Sequence, residues 1–257
     1  CGMKDIHTGI SALYLYGDPR DLNIDNNIID SRMIGIDFVQ TDPATINITN
    51  NQIDVDCSSG TSVAIDISES EMGHDEANIE SNDLNLDYAT LGIRMDGAKD
   101  YYVEQNTIDF SSTESEVGIK LMNSDDNFFY SNDVTGYTSS AGSNQLGFRS
   151  QGSHRNTYEC NNSTETLYKG TAFYQDNSGT QLKQMNYDDG YTGLWCGEMA
   201  VIGEQRYHEN RWIGNLTNLN AEHLGGNFEV QESKLIIYNG DDNTDVDPGP
   251  SIDPTNW

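Results

Sequence analysis

Short runs in which apolar and polar residues alternate recur along most of the chain, as in Ile46-Asn47-Ile48, Ile53-Asp54-Val55 and Ile65-Asp66-Ile67. Period two belongs to a strand whose two faces meet different surroundings. No window carries apolar residues at helical spacing, so helices are not expected to build the fold. The runs are punctuated by Gly, Asn, Asp and Ser, and they fall into a register set by asparagine. Asn27, Asn51, Asn82, Asn106, Asn132, Asn161, Asn186 and Asn210 follow one another at gaps of 24, 31, 24, 26, 29, 25 and 24 residues. Three residues before each stands an apolar or aromatic side chain, Lys183 excepted. Two residues after each stands an apolar one, Ser163 and Asp188 excepted. A fixed local spacing with variable gaps describes a repeated unit that takes its insertions at one place, which is how a solenoid is written in sequence. Segments 18–27 and 42–51 superpose without a gap, both opening Asp-Pro and both closing Asn-Asn.

The expected fold is all-β, a parallel β-helix of about eight coils, each coil stacked roughly 4.8 Å from the next in a rod on the order of 40 Å long. The recurring asparagine then stacks on itself at a turn. A buried amide in such a ladder satisfies its hydrogen bonds on backbone and on its neighbours, whereas a lone buried amide is costly. The Ile-x-x-Asn-x-Ile coils, with Gly35-Ile36, Gly92-Ile93, Gly118-Ile119 and Gly147-Phe148 opening the next strand, resemble right-handed parallel β-helix repeats of the pectate-lyase-like superfamily from Gly9 to Gly214. That superfamily puts the same coils into lyases, epimerases, glycosidases, phage tailspikes and adhesins, so the resemblance speaks to fold before activity. The acidic, Asn-rich style and the Asp/Pro-rich tail are similar to large Bacteroidota surface proteins exported by the type IX route.

Three regions follow. Residues 1–214 form the β-helix, which enters its repeat at once and reads as a segment of a longer parent. Residues 215–240 break the repeat and are expected to cap it, because an open solenoid end exposes unpaired strand edges. Residues 241–257 read as a surface tail or linker. Within the tail, Asp241, Asn243, Asp245 and Asp247 alternate as candidate calcium ligands, without the glycine and final glutamate of an EF-hand. Calcium is the only cofactor the sequence suggests.

The net charge of −29, from 13 basic and 42 acidic residues, excludes nucleic acid and anionic membrane surfaces as partners. No apolar run is long enough to insert in a bilayer. An extracellular or cell-surface setting fits, with other protein chains or surface glycans as partners. Cys1, Cys57, Cys160 and Cys196 lack Cys-x-x-Cys spacing, and Cys160 with Cys196 is the pairing to test. The histidines show no metal-ligand spacing.

Against this acidic background, twelve residues before successive asparagines stand Arg94, Lys120 and Arg149, with Lys99, His154 and Arg155 close by. Clustered cations depress each other's pKa, which is what a general base acting beside an anionic substrate requires. In lyases of the resembling superfamily, an Arg or Lys takes the proton next to a uronate carboxylate while a cation neutralises that carboxylate. Arg94, Lys120 and Arg149 are therefore the catalytic candidates of the alternative reading, a polysaccharide lyase or epimerase. Lys99, His154, Arg155, Tyr102 and Tyr130 are the substrate-binding candidates. A salt-bridged ladder on a solvated face accounts for the same cations without chemistry. The file Asp30, Asp54, Asn85 and Asp109 reads as the wet side of a sheet. Asp18-Pro19-Arg20-Asp21 differs from the Asp-Pro-His-Asp of alginate epimerases at Arg20, and Tyr187-Asp188-Asp189-Gly190 lacks the companion motifs of β-helix glycosidases. The leading expectation is a non-catalytic structural, adhesive or display module.

Overall fold

The computed structural model describes residues 2–13, 21–39, 45–57, 61–68, 77–88, 91–113, 117–137, 144–164, 167–206, 210–213 and 219–236. All strand pairings among them are parallel, and the chain winds as a parallel β-solenoid with three strand positions per turn. Sheet I holds seven strands, from Asp21–Asp25 through Tyr101–Glu104 and Phe128–Tyr130 to Gln181–Lys183. Sheet II runs from Gln52–Asp56 through Asp133–Thr135 to Arg211–Ile213. Sheet III runs from Val63–Ser68 through Leu91–Asp96, Val117–Met122, Leu146–Gln151, Lys169–Tyr174 and Thr192–Cys196 to Leu219–His223. Ile28–Val39 spans both II and III as one unbroken strand and joins them into a single hydrogen-bonded path.

Seven strands in sheet I mark about six turns, slightly fewer than the eight asparagines suggest. The last asparagine, Asn210, follows no strand of sheet I among the described residues. Beyond residue 214, Leu219–His223 still adds a rung to sheet III, and the short helix Asn227–Glu232 follows it.

In sheets I and II the alternation seen in sequence is the alternation of burial, whereas Asp66 in sheet III is as buried as Ile65 and Ile67. Ile48, Ile79, Val103, Phe129, Tyr158 and Leu182 stack inward from sheet I, and Ile53, Leu84, Ile108 and Val134 from sheet II. Towards the C-terminal end the column gives way to aromatic rings, Phe129 lying 4.8 Å from Tyr158.

The turn from sheet I to sheet II takes two residues. The first adopts a left-handed conformation at Asn26, Asn50, Ser81, Gln105, Ser131, Cys160 and Gln184, and the second is the ladder asparagine at all but the last, where it is Met185. Oδ1 of Asn106 accepts from both the backbone N–H and Nδ2 of Asn82, at 3.0 and 2.9 Å. Nδ2 of Asn106 donates to the Ile79 carbonyl at 2.8 Å and to Asn132 at 2.9 Å. The same scheme links Asn27, Asn51, Asn82, Asn106, Asn132 and Asn161. Each acceptor carbonyl belongs to the residue three places before the asparagine of the preceding coil, whose apolar side chain points into the core.

One rung departs from the sequence register. Asn162 pairs with Asn186, so the position stacked on Asn161 is Met185. Nδ2 of Asn161 reaches Met185 Sδ at 3.6 Å, and Met185 N–H donates to Asn210 Oδ1 at 3.0 Å. Asn186 lies on the outer side of sheet II, bonded to Asn162 at 2.6 Å. The neighbouring amide drew the sequence register one residue too far.

A second polar stack, not anticipated, lines the turn from III to I. Asn127 bonds Asn156 at 3.0 Å, with Ser124 and Ser153 beside them. Cys160 and Cys196 are free thiols, so no Cys160–Cys196 bridge is formed. Cys160 lies at the I–II turn and Cys196 points into the core from sheet III.

Candidate functional site

Residues of sheet III that point away from the core form columns along the rod. One column reads Asp37, Asp66, Arg94, Lys120, Arg149, Ala172, Trp195 and Glu222. Arg94, Lys120 and Arg149 therefore stand on successive strands. Their environments differ. Arg94 grips Asp66 with two hydrogen bonds, Nε to Oδ1 at 2.8 Å and Nη2 to Oδ2 at 2.6 Å. Burial pushes the Asp66 carboxyl up, and the Arg94 charge and hydrogen bonds pull it back. Lys120 is engaged as well.

Arg149 has a different surrounding. Its Nη2 donates to the neutral Gln151 Oε1 at 3.2 Å, and its guanidinium carbon lies 4.6 Å from the centre of the Tyr174 ring. Nε of Arg149 is buried with no hydrogen-bond partner among the described residues. The Tyr174 and Trp195 ring centres are 4.9 Å apart. On the far side of Trp195 sits Lys169, its Nζ 3.3 Å from the indole centre and 5.1 Å from the centre of Tyr168, which stacks on Tyr191 at 5.2 Å. From Arg149 to Tyr191 each cation is thus followed by a pair of rings. Each such contact contributes about 0.5–2 kcal/mol. Lys169 is 8% exposed. Burial lowers its pKa to about 8, with Glu222 opposing and Arg149 adding to the effect. Beside this array a groove of about 300 Å³ opens, lined by Arg149, Gln151, Tyr174, Trp195, Glu198 and Met199 among others.

The other sequence candidates lie elsewhere. Tyr102 and Tyr130 point outward from sheet I, where Phe128 links them at 6.0 and 6.1 Å. They belong to a different sheet from the cationic column, so the aromatics expected beside the stripe do not line it. Tyr101, Phe129 and Tyr158, on the same strands of sheet I or the next, point into the core. Lys99, His154 and Arg155 occupy the III–I turn among carboxylates. Lys99 stands 3.9 Å from Asp100, His154 Nδ1 lies 3.1 Å from Asp125, and Arg155 chelates Asp126 at 2.6 and 2.7 Å. The Asp126 carboxyl is held low chiefly by those Arg155 hydrogen bonds. Asp30, Asp54, Asn85 and Asp109 do form one file on sheet II. No cluster of three or more His, Cys, Asp or Glu among the described residues has the geometry to hold a metal ion. The calcium candidates Asp241, Asn243, Asp245 and Asp247 lie outside the described residues, as do most of the loops flanking sheet III. No helix among the described residues is long and apolar enough to cross a membrane.

Trp195 is absent from the sequence candidates because the turns between sheet III and the asparagines differ in length, so that a fixed distance from Asn210 lands on Glu198, and Lys169 stands in a neighbouring column, paired with Leu146 and Thr192. Counting two residues forward from the glycines Gly92, Gly118, Gly147, Gly170 and Gly193 gives Arg94, Lys120, Arg149, Ala172 and Trp195 directly. Compared with family models, with curated proteins and with solved structures, the chain shows no match in any of the three.

Proposed function

We propose that this chain is a non-catalytic segment of an extracellular or cell-surface β-solenoid, serving in adhesion or display. The observation that carries the reading is the state of the cationic column. A guanidinium held by two hydrogen bonds to a carboxylate, as Arg94 is by Asp66, has no free basic site with which to take a substrate proton. Arg149 is likewise committed to a ring and an amide. What the rod offers instead is regular spacing, with outward side chains repeated from coil to coil, and repetition of that kind suits multivalent contact. Surface glycans and other protein chains are the partners in this reading. Membership of the pectate-lyase-like superfamily and export by the type IX route of Bacteroidota belong to the same proposal.

One observation favours the alternative of a lyase or epimerase acting on uronate polymers: a lysine with a lowered pKa, Lys169, stands near Arg149. Its burial beneath Trp195 argues against it as a base. The deciding measurement is turnover of polygalacturonate and alginate with calcium, followed by the ultraviolet absorbance of the unsaturated product, together with an assay of epimer ratio in the recovered alginate. The proposal expects neither signal from folded protein. Turnover abolished by Arg94→Ala or Lys120→Ala would replace it with the enzymatic reading.

A further inference from the structure

Sheet I turns a run of aromatic rings to solvent that the cationic column of sheet III does not use. Its outward residues form two columns along the rod. In the first, the amides of Asn23, Asn47 and Asn78 bond one another at 2.7 and 3.1 Å, and the column then changes to Tyr102 and Phe128. In the second, Glu80 and Glu104 stand side by side on adjacent strands, followed by Tyr130 and Glu159. Tyr102 is 41% exposed. Phe128 meets it edge-on at 6.0 Å and lies within 9° of parallel to Tyr130, their centres 6.1 Å apart. Contiguous exposed rings mark a contact surface where scattered ones do not.

The charges beside the rings say what covers them. Glu80 and Glu104 have no cation within ion-pair distance among the described residues, whereas Glu159 has Lys183 at 3.8 Å. Burial raises the Glu104 pKa and Glu80 raises it further, a repulsion that an incoming cation relieves. Across the rings, Lys99 and Arg155 of the III–I turn are already matched by Asp100 and Asp126. A second copy docking by this face would set glutamates against glutamates on a chain of net charge −29, while a basic partner is drawn in by the same field. Arginine suits the face better than lysine, because a planar guanidinium stacks on a ring and pairs with a carboxylate at once. Side chains on one side of an extended segment recur every ~6.8 Å, close to the 6.0 and 6.1 Å between neighbouring rings. We propose that the outer face of sheet I from Tyr102 to Tyr130 docks an extended, arginine-bearing segment of a partner protein, a guanidinium lying on the rings and pairing with Glu104. The inference rests on the adhesive reading and deepens it by naming the partner class for this face.

The test is fluorescence anisotropy at physiological salt, with the full chain titrated into a labelled octapeptide that alternates arginine with serine. Lysine and citrulline versions of the peptide are measured beside it. Saturable binding of the arginine peptide is expected, at least threefold weaker with lysine and at least tenfold weaker with the neutral citrulline. Tyr102→Ala, at an exposed position, and the isosteric Glu104→Gln should each weaken binding at least fivefold. Asp109→Asn, which removes the same charge from sheet II, should change it less than twofold. No binding of the arginine peptide, equal affinity for either analogue, or equal loss in all three variants would overturn the proposal, the last by showing attraction to the overall charge alone. Self-association lost in Tyr102→Ala would give the face to a second copy, and displacement of the peptide by a neutral galacto-oligosaccharide would give it to a glycan. Either result overturns the proposal and leaves the adhesive reading in place. Turnover of uronate polymers removes the adhesive reading and leaves the peptide result as it stands.

Discussion

At the scale of single residues, the ladder asparagines are the positions where one side chain does the most. Asn106 is 1% exposed and serves the turn before it and the turn after it. Asn106→Leu strands the Asn82 backbone N–H and the Ile79 carbonyl, each a buried group whose loss of partner costs about 1–3 kcal/mol. A loss of about 3 kcal/mol in urea unfolding is expected. Asn186→Ala, one residue from the true stack, should cost at most about 1 kcal/mol because its amide bonds only a half-buried neighbour. The pair of measurements separates the stack from the sequence register that placed Asn186 in it. The sequence showed the ladder clearly because an amide that bonds both backbone and its neighbours tolerates few replacements. It concealed Met185 because the adjacent Asn186 preserved the apparent spacing. The cation–ring array was hidden for another reason. Its members lie on different strands, and only a register correct to one residue brings Lys169, Tyr174 and Trp195 together.

At the scale of elements, sheet III depends on a column of small residues. A Cβ at Gly118 would stand 2.5 Å from Val134 Cγ1 and 2.8 Å from the Gly147 carbonyl oxygen, contacts that real Cβ atoms do not make. One neighbour is backbone of the adjacent rung and cannot rotate away. Gly118→Ala is therefore expected to destabilise by about 2–3 kcal/mol, measured by thermal or urea unfolding. The strands themselves were readable from alternation, since Ile53, Val55, Ile65 and Ile67 are all buried with polar residues between them. The end of the repeat was harder to read. Leu219–His223 still pairs with Thr192–Cys196, but its inward residues are Ala221 and His223 rather than the large aliphatics of earlier coils. A strand whose inward pattern is filled by a small residue and an imidazole leaves no period-two apolar signal to find.

At the scale of the whole molecule, the surplus of acidic residues sets how stability responds to pH. Burial raises the pKa of Asp133, and the neighbouring Asp109 raises it further. Asp133 Oδ1 is also buried without a hydrogen-bond partner among the described residues. A carboxyl whose folded pKa lies above its unfolded value binds its proton more readily in the fold. Its contribution is present in acid and is lost as pH rises through the folded pKa. Asp133→Asn should therefore raise the urea midpoint at pH 7, by an amount that shrinks as pH is lowered into the carboxylate range. A gain that stays constant with pH would mean the substitution acts through packing instead. Direction matters in another way, too. The bonds between strands and the amide links of the ladder run along the rod axis, so tension applied at its two ends loads all the links of one boundary together. In the buried ladder every boundary from Asn27 to Asn161 carries an amide crosspiece, and the next has a thioether contact at 3.6 Å in its place, with the half-buried Asn162–Asn186 bond on the outer face. Stretched between two tethers in a single-molecule experiment, the rod should part first between Asn161 and Met185, and Met185→Asn should raise the force at which that first step occurs.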